Sequence, residues 1–135
     1  MIRGHEPSDQ CLFIEEHRSN LYRQKSLLET TDFGFGSARA PYKTRFRKVN
    51  EVARHSSVSP KMGRLLYRLA AFSEAANILE IGTAMGISTM YLSCAAPGGR
   101  LVSIEGCAVI AQKALDGFKK HGVDNIELVQ GNFNK

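Results

Sequence analysis

The chain is 135 residues long, 43% hydrophobic and 23% charged, which leaves room for one domain of an ordinary globular protein and excludes wholesale disorder. Its formal net charge of +5 suits polyanionic partners in general. No apolar run reaches the length of about eighteen residues that a spanning helix needs, and the start MIRGHEPSDQ lacks the basic-then-apolar layout of a secretory signal, so no membrane span and a cytoplasmic location are expected.

The cysteines, Cys11, Cys94 and Cys107, are an odd and widely spaced set without a CxxC, so they are read as reduced thiols rather than a disulfide framework or zinc site. His5, His17, His55 and His121 form no HxH or HExxH pair, and no metal site is expected.

In chain order, residues 1–58 read as an N-terminal helical or lid region. From about Gln10 to Glu29, apolar residues recur at Leu12, Phe13, Leu21, Tyr22, Leu27 and Leu28 between charges, predicting one amphipathic helix or two shorter ones. Thr30, Thr31 and Asp32 lead into Phe33-Gly34-Phe35-Gly36-Ser37, a glycine-rich break read as a loop. Lys43, Arg45, Arg47 and Lys48, with Phe46 among them, are the one dense basic cluster; a solvated loop or helix start is the favoured reading over a nucleic-acid site. Val49 to His55 reads as a short helix.

Residues 59–135 alternate helix and strand. Ser59 and Pro60 mark a helix start, since a serine hydroxyl caps free amides and proline suits the first helical position. Met62, Leu65, Leu66, Leu69, Ala70 and Phe72 then follow near-helical spacing and are expected to be core. Asn77 to Ile81 reads as a buried parallel strand, about Gly86 to Ala96 as a helix stopped by Pro97-Gly98-Gly99, and Leu101 to Ile104 as a second strand. Cys107 to His121 predicts a helix ended by Gly122, and Ile126 to Gln130 a third strand. This alternation predicts an α/β fold, a Rossmann-like doubly wound parallel sheet, partial, with three strands in order 3-2-1.

The chemistry concentrates in Leu79-Glu80-Ile81-Gly82-Thr83-Ala84-Met85-Gly86-Ile87-Ser88-Thr89. A strand that ends in a glycine turn and opens a helix lets backbone amides approach an anionic or strongly polar ligand. The dinucleotide pattern GxGxxG is not met, because Ile87 stands at its last position. Glu105 closes the second strand, where a carboxylate can accept from both ribose hydroxyls. Taken singly, Gly82 and Gly86 serve as turn and packing glycines in any α/β protein, and Glu80 or Glu105 as solvated strand-end charges. Their combination at these spacings points to a ligand site. Cys107 begins a helix, and a buried small-hydrophobe role is favoured over a nucleophilic one.

The segment resembles the first motif of class I S-adenosylmethionine-dependent methyltransferases, ExGxGxG, written here as Glu80, Gly82, Ala84 and Gly86 with Ala84 in the place of the middle glycine. Ser88-Thr89 and the later Ser103-Ile104-Glu105-Gly106 are similar to the bacterial O-methyltransferase branch. The resemblance implies that Glu80, Gly82, Thr83, Ala84, Gly86 and Ser88 wrap the methionine part of S-adenosylmethionine, with Glu80 helping to hold its amino-acid end, and that Gly106, next to the ribose-binding Glu105, belongs to the cofactor site as well. Gly131-Asn132-Phe133 is similar to the GD(A/F) element that meets the adenine amino group, with Asn132 in the place of the aspartate. Phe33, Phe35 and the Lys43 to Lys48 cluster fall where that family builds its substrate side.

The implied activity is methyl transfer to a small molecule, most simply to oxygen. A nucleic-acid methyltransferase and a non-catalytic nucleotide-binding or assembly module are the alternatives. The family fold has seven strands and three are readable here, so the chain is expected to be truncated, or else to dimerise through its open sheet edge. Catalytic residues are not assigned, because that family carries them mainly in later strands.

Overall fold

The structure is a computed structural model that describes Pro7 and residues 9–32 and 43–131. A 3-10 turn at Asp9–Cys11 leads into α1, Phe13–Arg23. Its buried residues Ile14, His17, Arg18 and Leu21 recur at three-and-four spacing, so one stripe of the helix faces the core. Arg18 is 4% exposed. Its charge is offset by a two-point contact with Glu15, at 2.8 and 3.2 Å, and its guanidinium also donates to the Val58 carbonyl. Glu15 in turn accepts from the Tyr91 hydroxyl at 2.6 Å, which, with burial, pushes the Tyr91 phenol up from its ordinary range.

The helical stretch expected from Gln10 to Glu29, as one helix or two, is a single helix that ends at Arg23. Gln24 is extended, and Leu27–Asp32 forms β1, which pairs antiparallel with β2, Lys43–Lys48, from Leu27 opposite Lys48 to Asp32 opposite Lys43. The glycine-rich loop expected at Phe33–Ser37 lies outside the described residues, and the basic cluster is a strand rather than a loop or helix start. The physical reason is a partner beyond any local window: β-branched Thr30 and Thr31 suit a pleated surface once a second strand lies beside them. The Thr30 hydroxyl fixes the pair by donating to the Arg45 carbonyl at 3.1 Å.

α2 spans Val49–Ser56 and α3 spans Pro60–Phe72. The start of α3 is as expected: the Ser59 Oγ accepts from the Met62 amide at 3.2 Å, and Pro60 sits in the first turn. Its apolar face is not. Gly63 and Ala70 are buried, while Met62, Leu65, Leu69 and Phe72 are exposed and Leu66 is half-buried. α3 packs on α4 so closely that a Cβ on Gly63 would lie 2.4 Å from the Tyr91 ring. The smallest side chains, not the largest, set that contact, and the bulky ones turn outward.

The remaining elements are β3 (Asn77–Ile81), α4 (Ile87–Ala95), β4 (Arg100–Glu105), α5 (Ala108–Lys120) and β5 (Ile126–Gln130). The three strands are parallel in the order β3-β4-β5, so consecutive strands are neighbours across a Rossmann-like half-sheet. Successive side chains alternate between its faces. Ile78, Glu80, Leu101, Ser103, Ile126 and Leu128 share the covered face. Leu79, Ile81, Val102, Ile104 and Val129 share the other, where Leu79 and Ile81 are 64% and 65% exposed. The strand expected to be buried is thus covered on one face only.

One hydrophobic cluster ties the N-terminal elements to the α/β part, with Ile14, Leu21 and Val52 packed in the same core as Ile87, Met90 and Phe118. Cys11, Cys94 and Cys107 are reduced thiols, none of them in a disulfide among the described residues. Cys94 hydrogen-bonds Cys11, and that contact, with burial, pushes its thiol up.

Candidate functional site

The site lies where β3 gives way to α4. Within five residues the backbone turns left-handed three times, at Gly82 (φ 93°), Ala84 (φ 49°) and Gly86 (φ 80°). Glycine takes this conformation without strain, whereas Ala84 does so at a cost of about 1–2 kcal/mol. The loop is fastened from below. The Gly82 and Thr83 amides both donate to the Ile104 carbonyl, at 2.9 and 3.2 Å, and the Gly86 amide donates to the Thr83 carbonyl at 2.9 Å. Behind Gly86, a Cβ would lie 2.6 Å from the Phe118 ring, whereas among the described residues nothing stands within 4 Å of a Cβ on Gly82. The loop is therefore packed on its inner side and open on its outer side.

Two carboxylates brace it. Glu105, at the end of β4, accepts from the Ala84 amide at 2.9 Å through one oxygen and from the Cys107 amide at 3.0 Å through the other. Each oxygen keeps a further lone pair for a ligand hydroxyl. Glu80 accepts from Ser88 Oγ at 2.6 Å on one oxygen, and from Thr89 Oγ1 at 2.5 Å and Ser103 Oγ at 2.6 Å on the other. Ser103 also meets Thr83 Oγ1 at 2.6 Å. By register, Glu80 pairs with Ser103 on the covered face of the sheet, and Glu105 lies two residues further along the same face. Both carboxylates thus converge on the segment from Ala84 to Thr89.

The structure brings together Glu80, Gly82, Thr83, Ala84, Gly86, Ser88, Glu105 and Gly106. Asn132 and Phe133 lie outside the described residues, as do Phe33 and Phe35. Thr83 is buried with its hydroxyl on Ser103, so its side chain points into the body. Thr89 and Ser103, both fully buried and both bonded to Glu80, are side chains of this cluster that the sequence reading left without a role. A polar residue inside the apolar run Leu101-Val102-Ser103-Ile104 was the available signal, because a buried hydroxyl needs a partner.

The hairpin stands beside this site. The Thr31 amide meets the Cys107 Sγ at 3.5 Å, which sets β1 against the start of α5, two residues from Glu105. Cys107 is buried, as expected of a packing thiol. Among the described residues, no cluster of three or more His, Cys, Asp or Glu could hold a metal, and no helix is long and apolar enough to cross a membrane.

Comparison with known proteins agrees with this geometry. Residues 27–135 match the model of the protein-L-isoaspartate(D-aspartate) O-methyltransferase (PCMT) family. The catechol O-methyltransferase of Niastella koreensis is 45% identical over 64 residues, which is 44% of this chain and 29% of that protein. The crystal structure of the O-methyltransferase TomG from Streptomyces achromogenes, in complex with SAM, is 39% identical with a TM-score of 0.55, over 57% of this chain and 35% of TomG. The O-methyltransferase from Bacillus cereus in complex with SAH, 23% identical, shares the fold over 98% of this chain and 53% of its own, with a TM-score of 0.58. The chain spans about a third of the length of the first two relatives. With four-fifths of its residues under one family model and a glycine loop braced from two strands at the place the motif requires, the chain belongs to the protein-L-isoaspartate(D-aspartate) O-methyltransferase (PCMT) family.

Proposed function

We propose that this chain forms the S-adenosylmethionine-binding portion of an O-methyltransferase that acts on a small molecule. The observation that carries the reading is the loop from Gly82 to Gly86, open on its outer side and held between Glu105 and Glu80. The donor set fits the nucleoside. Glu105 keeps acceptor capacity for two ribose hydroxyls, and the open space over Gly82 admits a ligand against the backbone. Gly106 is assigned to the cofactor with Glu105, and Asn132 and Phe133, outside the described residues, are assigned by resemblance to its adenine end.

When bound, S-adenosylmethionine supplies an electrophilic methyl on a sulfonium. The chain's own residues orient it: the loop fixes the methionine end, Glu105 fixes the ribose, and the distance and angle of attack are set by holding rather than by covalent chemistry. No covalent nucleophile is needed from this chain, and Cys107 is not assigned as one. By resemblance, Phe33 and Phe35, outside the described residues, and the basic strand β2 are assigned to the acceptor side, and residues 1–58 are read as a lid region on residues 59–135. A hydroxylated aromatic is the acceptor class that the catechol O-methyltransferase relatives suggest. The catechol O-methyltransferase relatives favour a small acceptor over a nucleic acid. The cytoplasm is the compartment this reading assigns.

Calorimetric titration with S-adenosylhomocysteine, NAD and ATP tests it, with Glu105→Ala as control. S-adenosylhomocysteine alone should bind, and Glu105→Ala should weaken it at least about tenfold, the effect of removing a charged acceptor. Binding of NAD in preference to S-adenosylhomocysteine overturns the reading.

A further inference from the structure

The two glutamates of the site are not equivalent. Glu105 makes one backbone contact per oxygen at the end of its strand. Glu80 makes three side-chain contacts: Ser88 and Thr89 in the first turn of α4, and Ser103 on β4. Because Ser103 gives its single hydroxyl proton to Glu80, the proton between Thr83 and Ser103 comes from Thr83. The result is a relay from Thr83 to Ser103 to Glu80. Thr83, Thr89 and Ser103 are each at most 1% exposed, so most of the hydroxyls that engage Glu80 are held in the body of the protein, while Glu80 and Ser88 themselves are half-buried.

We infer that Glu80 is a positioning residue: its carboxylate ties β3, β4 and the start of α4 together and so holds the loop from Gly82 to Gly86 in its left-handed turns, rather than gripping the amino-acid end of the ligand. Charge-assisted bonds from three hydroxyls are strong and directional. They anchor the helix start from which the loop departs, and the N-terminal turn of α4 itself favours a negative group beside it. The inference rests on the reading of this loop as a nucleoside site and deepens it.

The test compares two ligands, S-adenosylhomocysteine and 5′-methylthioadenosine, which lacks the amino-acid end. A positioning role predicts that Glu80→Gln and Thr89→Val weaken both ligands by the same factor, about tenfold for the loss of a bond to a charged group. Thr89→Ser keeps the hydroxyl and should bind both as the unaltered protein does. A loss confined to S-adenosylhomocysteine in Glu80→Gln, with Thr89→Val silent, would show Glu80 gripping the ligand directly and overturn the inference. Hydrogen exchange of the amides from Gly82 to Gly86 in the ligand-free protein decides the matter independently. Exchange should be faster in Glu80→Gln and Thr89→Val, and unchanged exchange overturns the positioning role. If the unaltered chain binds neither ligand, the nucleoside reading fails while the exchange result still judges Glu80.

Discussion

The two faces of the β3-β4-β5 sheet carry similar numbers of apolar residues and meet different fates. On the covered face, Leu101 and Ser103 are fully buried and every polar group of the Glu80 cluster has a partner. On the other face, Leu79, Ile81 and Val129 stand in solvent, and the Arg100–Glu127 ion pair crosses the neighbouring strands in the open. Alternation along a strand decides which side chains share a face, but only a second layer decides whether that face is buried. The difference teaches that the candidate site is built on the supported side, where rigid packing can hold a polar cluster in one geometry.

The contrast is broken most directly by shaving one residue from each face. Leu101→Ala, at a position 1% exposed, should cost about 3 kcal/mol through lost burial and a cavity. Leu79→Ala, at 64% exposure, should cost less than about 0.5 kcal/mol. Chemical denaturation of both variants checks this, and equal losses would mean that the outer face is covered in solution.

Acid should undo the supported side next. Burial, with His121, Lys120 and Lys113 nearby, pulls His17 down from 6.5 to about 4. His17 packs between α1 and α5, with Nδ1 at 3.2 Å from His121 Nε2 and its buried Nε2 without a hydrogen-bond partner among the described residues. Since the folded state favours the neutral ring, this stability is fully present above pH 6.5 and is lost as pH falls through about 4. The loss amounts to about 2–3 kcal/mol. Melting curves across this range should show it, and His17→Gln should flatten that part of the profile.

The smallest effect lies in the loop itself. Ala84→Gly relieves the left-handed strain at φ 49° and loosens the unfolded chain, for a net gain of about 0.5–1 kcal/mol. A lower melting temperature in this variant would mean that the methyl group of Ala84 makes a contact worth more than the strain.

Much of this architecture was legible in local patterns. Ser59-Pro60 marked the start of α3, and the short apolar runs marked all three parallel strands, with β5 falling on the predicted Ile126–Gln130. The glycine loop was legible because positive φ leaves a residue-type signature at Gly82 and Gly86. The hairpin was not, because Leu27–Asp32 becomes a strand only through pairing with Lys43–Lys48, across an interval that no helical or strand period spans. Nor was the orientation of α3. Met62, Leu65, Leu69 and Phe72 follow a helical stripe, yet the close crossing at Gly63 and Tyr91 favours the opposite face.

By itself the sequence determined the order of elements in the α/β part, the turn chemistry of the loop and the presence of carboxylates at Glu80 and Glu105, since each follows from the conformational and chemical limits of single residues and their near neighbours. Only the tertiary structure decided which face of the sheet is covered, which side of α3 packs, and that Glu80 is engaged by Ser88, Thr89 and Ser103. Those outcomes depend on contacts between segments far apart in the chain, whose packing energies no local stretch of residues contains.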